Sequence, residues 1–188
     1  MSPVFIQVST EITLRSWTTA NAADLFALVE INRPELSQWL PWVPGIREES
    51  DSLRFIQNSI QETANDNGLE LGIFYHDVLV GCIGLHELNW AHKKTSIGYW
   101  LSASYQGKGI MTAAVRALVE YVFTKLAFNR VEIRAASGNQ KSRAIALRLG
   151  FSQEGVLREA EFVGDTFLDS VVYSLLHRDW RDAMSSQK

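Results

Sequence analysis

Apolar positions along the chain change their period several times, and each change marks an element. Ile12 and Leu14 alternate with Thr13 and Arg15 in ITLRSW (12–17), which predicts a first strand. Asn21, followed three residues later by Asp24, resembles a capping box, and AADLFALVEIN then sets Leu25 and Leu28 or Val29 on one helical face. RPELSQWLPWVPG (33–45) holds three prolines and two tryptophans and predicts a short helix running into a rigid loop. A second helical stretch covers 50–67, with Leu53, Ile56 and Ile60 at helical spacing. The period then shortens: 69–88 reads as two strands about a His76-Asp77 turn, and TSIGYWL (95–101) puts Ile97, Tyr99 and Leu101 on one face. Met111, Val115, Leu118 and Val122 restore a helical stripe. NRVEIRAAS (129–137) is a further strand, and NQKSRAIALRLGF a helix that Gly150 is placed to end in a left-handed cap. Strands near 151–154 and 167–176 complete the pattern. The order is strand, two helices, three strands, helix, strand, helix, two strands. No repeat, low-complexity tract or long linker interrupts it, so a single mixed α/β domain over 1–188 is expected.

Composition narrows the class. Of the 188 residues, 46% are hydrophobic and 21% charged, with a formal net charge of −3, which lacks the basic excess of a general nucleic-acid binder. Cys82 is the one cysteine, which excludes an internal disulfide and a cysteine-based zinc cluster. The N-terminal segment does not read as a signal peptide, and no apolar run suits a bilayer span, so a cytoplasmic protein without membrane contact is expected.

The stretch YQGKGIMTAA (105–114) raises a chemical question. A Walker loop needs a longer spacer and a Gly-Lys-Ser/Thr ending, and a dinucleotide fingerprint needs a third glycine where Thr112 stands. What remains is a short loop between a strand and a long helix. It is either a turn with glycines for geometry or an anion site, in which helix-start N–H groups and Lys108 face a phosphate.

The flanking motifs bear on that choice. IGYWLSASYQGKGIMTAAVRAL, then NRVEIRAASGNQKSRAIALRLGF, then EGVLREAEFVGDTFLDSVVYSLLHRDW together resemble the RimJ/RimL branch of the GNAT N-acetyltransferase superfamily, over most of the chain. The family's pyrophosphate loop follows Gln/Arg-x-x-Gly-x-Gly/Ala, which here falls on Gln106, Gly109 and Met111; Met111 departs from the small residue of the pattern in a way that looks like this branch. The resemblance implies a twisted mixed sheet of about seven strands, helices on both faces and a splayed central strand pair that admits the pantetheine arm. It also implies acetyl transfer from acetyl-CoA to an amine, with no metal.

The resemblance implies roles for particular residues. Trp100, Leu101, Gln106, Gly107, Lys108, Gly109, Ile110, Met111, Thr112, Asn139 and Ser142 would contact acetyl-CoA. Ser142 would also assist the leaving thiolate, and Glu161 would be the general base. The residues alone leave plainer readings open. Asn139 is placed as a helix N-cap, and REAEFVGD around Glu161 as a solvated acidic loop. The resemblance itself also allows a water chain as the base, since other members of the branch lack this glutamate. Trp39, His86 and Trp90 would wall the acceptor site, with core packing the alternative for the tryptophans, above all for Trp100 on its central strand. Cys82, in an apolar strand, reads as a buried small hydrophobe rather than a nucleophile.

An α-amine has a pKa of roughly 8, so part of it is already neutral near pH 7, and a base need only take a proton as the C–N bond forms. The expected acceptor is a protein N-terminus, as for ribosomal proteins. Small amines such as polyamines, antibiotics or aminoacyl compounds are the second class, and a non-catalytic acetyl-CoA-binding module the third. A homodimer is a further expectation from the resemblance.

Overall fold

The structure, a computed structural model, describes residues 1–185. Eight strands form one sheet: β1 (Phe5–Gln7), β2 (Ile12–Ser16), β3 (Leu69–Tyr75), β4 (Val78–Asn89), β5 (Lys94–Leu101), β6 (Arg130–Ala136), β7 (Ser152–Val163) and β8 (Thr166–Leu176). Their spatial order is β1-β2-β3-β4-β5-β6-β8-β7. Helices α1 (Ala22–Leu36) and α2 (Glu49–Ala64) join β2 to β3, α3 (Ile110–Thr124) joins β5 to β6, α4 (Gln140–Arg148) follows β6, and α5 (His177–Ser185) follows β8.

Alternation along the strands builds two cores. Leu69, Leu71 and Ile73 of β3, with Ile83 and Leu85 of β4 and Ile97 of β5, face α3 and pack with Ile110, Val115, Leu118 and Val122. Phe74, Leu79 and Cys82 join the opposite core with Trp17, Leu25, Val29 and Ile56 under α1 and α2. Burying a side chain of this size contributes about 1.5–3 kcal/mol each, so both faces need their helices.

All neighbouring strands are antiparallel except β5 and β6, whose parallel arrangement requires the α3 crossover. That pair holds register only from Lys94↔Arg130 to Ile97↔Ile133. Beyond it, β5 runs on to Leu101 and β6 to Ala136 while pairing with β4 and β8 on their other sides. The centre of the sheet therefore splays.

Several expectations shift in detail. The 33–45 helix is no separate element: α1 continues through Pro34 to Leu36, and a turn of 3₁₀ helix follows at Val43–Gly45. Arg33 clamps this region by donating to Val43 O at 2.7 Å and to Ile46 O. The cap lies one turn earlier than Asn21–Asp24, because Asn21 Oδ1 accepts from Thr18 N at 3.0 Å and closes a short 3₁₀ turn ahead of α1. Ile60 of α2 is exposed, whereas Ile56 is buried. The sheet has an eighth strand, β1, three residues long, and α5 is an additional helix. The acidic segment around Glu161 is part of a long β7–β8 hairpin, not a loop.

Candidate active site

The loop after β5 is held from outside by α1. Asn32 is buried in that helix; its Oδ1 accepts from Ala103 N at 2.9 Å, and its Nδ2 donates to Leu28 O at 2.7 Å. Glu35, one turn on, accepts from Gln106 Nε2 and from Lys141 Nζ, both at 3.1 Å. Gln106 in turn donates to Leu101 O at 3.3 Å and accepts from Lys141 at 2.7 Å. The Gln106 side chain therefore braces the loop rather than reaching into it.

Gly107 and Gly109 have φ of +76° and +78°, which L side chains rarely adopt. Gly109 is the N-cap of α3, and no side chain caps that end. The first turn of α3 thus presents backbone N–H groups that have no intrahelical acceptor, at the positive end of a 15-residue helix dipole. The Ile110 and Met111 side chains are buried in the core, so these positions offer only their backbone. Met111 differs from the small residue of the motif because its side chain fills the space beneath α3. Thr112 Oγ1 accepts from Arg148 at 2.9 Å, which places a guanidinium from α4 beside the same helix start. Lys108 Nζ lies 5.0 Å from the Tyr105 ring centroid. Open glycine backbone, a helix start and flanking cations suit a diphosphate.

At the splay, Tyr99 of β5 and Ser142 of α4 meet. Ser142 Oγ donates to Tyr99 OH at 3.1 Å, and Tyr99 OH donates to Ser142 O at 3.1 Å. Burial raises the phenol to about 12, opposed by the Ser142 hydrogen bond, so the hydroxyl keeps its proton across ordinary pH. Asn139 caps α4, its Oδ1 accepting from Ser142 N at 3.1 Å, which fixes the serine's place in the first turn.

On the α1/α2 face lies a cavity of about 350 Å³, mostly apolar, lined among others by Val29, Trp42, Phe55, Cys82, Tyr99 and Trp100. Glu70 and His86 also line it. Trp42 and Trp100 pack with ring centroids 6.2 Å apart. The Glu70 side chain is 16% exposed; its Oε1 lies 3.4 Å from His86 Nδ1, and its Oε2 accepts from the Cys82 thiol at 3.2 Å. Burial pushes the Glu70 carboxyl up, while His86 and the Cys82 hydrogen bond pull it back. Two paired glycines make this arrangement fit. A Cβ on Gly84 would collide with the Glu70 carboxylate, and one on Gly98 would lie 2.5 Å from His86 Nε2. A second, more open cavity of about 380 Å³ shares Glu70 and His86 and adds Asn58, Glu62, Asn67 and Glu87.

The remaining candidates are dispersed. The Trp39 indole lies over Gly138, just before Asn139, and Trp42 takes the place in the cavity wall expected for Trp39. Trp90 is at the far end of the β4–β5 hairpin, donating to Asp66 O at 2.8 Å and packed on Phe128, so it does not line the cavity. Glu161 sits on β7 and accepts from Ser170 Oγ at 3.1 Å; Ser170 pairs with Ala136 at the end of β6, so Glu161 lies on the other side of the splay from Glu70. The Trp100 side chain lines the apolar cavity, leaving its backbone at the splay, and Leu101 is buried in the α3 core. Burial and the Glu70 carboxylate push the Cys82 thiol well up, which removes it as a thiolate nucleophile. Sequence reasoning missed Asn32, Glu35, Glu70, Tyr99 and Arg148. Tyr99 alone carried a signal, its position in the strand before the glycine loop.

Comparison with known proteins supplies the context. The family model described as "Acetyltransferase (GNAT) domain" matches residues 11–152. The Bacillus subtilis (strain 168) protein named "Putative ribosomal N-acetyltransferase YdaF" is 40% identical over 176 residues, covering 93% of this chain and 96% of that protein. The Escherichia coli (strain K12) ribosomal-protein-serine acetyltransferase is 31% identical over 169 residues, covering 90% of this chain and 94% of that one. Among solved structures, RimL, a ribosomal L7/L12 alpha-N-protein acetyltransferase in complex with coenzyme A, superposes with a TM-score of 0.90 at 28% identity, covering 94% of this chain and 99% of its own. The microcin C7 self-immunity acetyltransferase MccE, in complex with acetyl-CoA and AMP, does so with 0.86 at 34% identity, covering 90% and 94%.

Proposed function

The chain belongs to the GNAT acetyltransferase family, in its RimJ/RimL branch, and from that premise we propose that it acetylates the α-amine of a protein N-terminus. Acetyl-CoA is the acyl donor. The fit to it rests on the open glycine backbone and uncapped start of α3, with Lys108 and Arg148 alongside. Bound there, acetyl-CoA supplies an activated acetyl group. The chain's residues do the rest: the first turn of α3 and the two cations take the diphosphate, the unpaired edge of β5 over 98–101 takes the pantetheine amides, and Ser142, its hydroxyl proton turned from Tyr99 OH to the sulfur, gives hydrogen-bond support to the leaving group.

The shape of the acceptor side carries the choice of a peptide. An apolar cavity of about 350 Å³ suits a first side chain, and past Glu70 and His86 lies a more open cavity of about 380 Å³, with Asn58, Glu62 and Asn67 in its wall, suited to a following backbone. The relatives named for ribosomal-protein acetylation support the same reading. A second reading, an amine bearing a further positive charge, is favoured by Glu62 and Glu87 around the more open cavity. The match of the family model to 11–152, together with the β7–β8 hairpin completing the same sheet, supports reading 1–188 as one such domain.

Thiol release from acetyl-CoA separates the two acceptor classes. Short peptides starting with Ser or Ala should support turnover, and the same peptides with a blocked α-amine should not. Turnover with spermidine and none with any free-amine peptide would move the assignment to small amines.

A further inference from the structure

We propose that His86 is the proton-accepting catalytic residue for the acceptor amine, and that Glu70 is its positioning residue, holding Nδ1 and stabilising the imidazolium. The inference deepens the acceptor reading above and rests on it. It places the base on the α1/α2 face rather than at Glu161 on β7.

Geometry carries it. His86 bridges two points: its Nδ1 is 3.4 Å from Glu70 Oε1, and its Nε2 lies over Gly98, where β5 leaves the ladder with β6. One nitrogen therefore meets a carboxylate inside the cavity, and the other lies over the Gly98 backbone, one residue past the end of the β5–β6 ladder. The row is specific to one face: Glu70 pairs with Gly84, and Gly84 with Gly98, so no side chain intervenes between carboxylate, imidazole and β5. Other groups near the pair are few. Cys82 of the same strand donates to Glu70, Glu87 also lies on β4, and Glu62 comes from α2 across the more open cavity.

The step balances as follows. The ammonium of the acceptor gives one proton to His86 Nε2. The nitrogen lone pair forms the new bond to the acetyl carbonyl carbon, and the C–S bond breaks with its electron pair on sulfur. The second N–H proton, lost from nitrogen as the amide forms, ends on the thiolate, and the imidazolium releases the first to solvent, so one proton in all leaves the site.

The test compares His86→Gln, Glu70→Gln and Glu161→Gln with the wild type. Two readouts are used: the pH profile of kcat/KM for a peptide acceptor, and the NMR titration of the His86 imidazole in protein free of acetyl-CoA. His86→Gln should lose about 10²-fold in kcat/KM together with the acidic limb, and leave the KM for acetyl-CoA within about twofold. Glu70→Gln should keep the limb but move it to lower pH, and the NMR midpoint of His86 should move the same way, because removing the anion disfavours the imidazolium. A wild-type profile in His86→Gln, with the limb lost in Glu161→Gln instead, overturns the proposal and leaves the acceptor assignment standing. An unmoved NMR midpoint in Glu70→Gln overturns the positioning role. A wild-type protein that binds acetyl-CoA and transfers to no amine overturns both the acceptor reading and this one.

Discussion

Ser142 and Tyr99 share two hydrogen bonds at 3.1 Å across the splay, so neither hydroxyl acts alone. If the serine's aim depends on the phenol, the two substitutions should not add. Ser142→Ala should lower kcat about 10²-fold and Tyr99→Phe about tenfold, while the double variant should be no slower than Ser142→Ala. Fully additive losses in a double-mutant cycle would separate their roles. At this scale the sequence was partly legible. The glycines with positive φ were visible because QGKG had no other economical explanation. Glu70 was not. In LELGIF it occupies a polar position of an alternating strand, which reads as solvent-facing, and only the packing of α2 and the two opposing glycines turns that position inward. His86 was visible as a cavity residue, but its partner was not, because the contact spans two strands.

Elements that bury a regular stripe were readable. The α3 stripe is buried throughout, and the two-residue turn at His76-Asp77, with φ of +48° and +63°, joins β3 to β4. Elements that rely on one tertiary contact were not. β1 is three residues long with Phe5 largely exposed, and α5 has no buried residue and docks through Trp180 on Phe123, centroids 5.5 Å apart. Pro34 suggested a boundary that the Arg33 clamp overrides. The β6–β8–β7 junction has its own signature. Arg130 holds Glu154 with bonds of 2.7 and 2.5 Å, and Ser174 Oγ donates to it at 2.7 Å. Arg130, then Ser174, hold its carboxyl down to about 2, below its ordinary value of 4.5. The stabilisation is therefore present above pH 4.5 and lost as pH falls from there toward 2. Glu154 is 43% exposed, so solvent weakens the effect. Glu154→Gln should lower Tm by about 2 °C at pH 7, and the gap should close as pH falls through that window. A constant gap would mean that the charge is not what holds the hairpin.

At the scale of the molecule, the proposed reaction joins two faces of one sheet. Phosphate would enter at the α3 start, the pantetheine arm would follow β5 through the splay, and the amine would come from the α1/α2 side between Glu70, His86 and the tryptophans. The order of strands and helices made this architecture legible from sequence. The depth of the splay was not, since it depends on where the β5–β6 ladder stops, at Ile97 and Ile133. No helix among the described residues is long and apolar enough to cross a membrane. The central claim is that donor and acceptor meet at the splay from opposite faces. A crystal structure with a bisubstrate analogue, coenzyme A joined through an acetyl linker to the α-nitrogen of a Ser-initiated peptide, tests it most directly. The account predicts the diphosphate on the backbone of 107–112, the pantetheine along 98–101, and the linked nitrogen within hydrogen-bonding reach of His86 Nε2. A linked nitrogen turned toward Glu161 on the β7 side, with the Glu70 cavity empty of peptide, would contradict it.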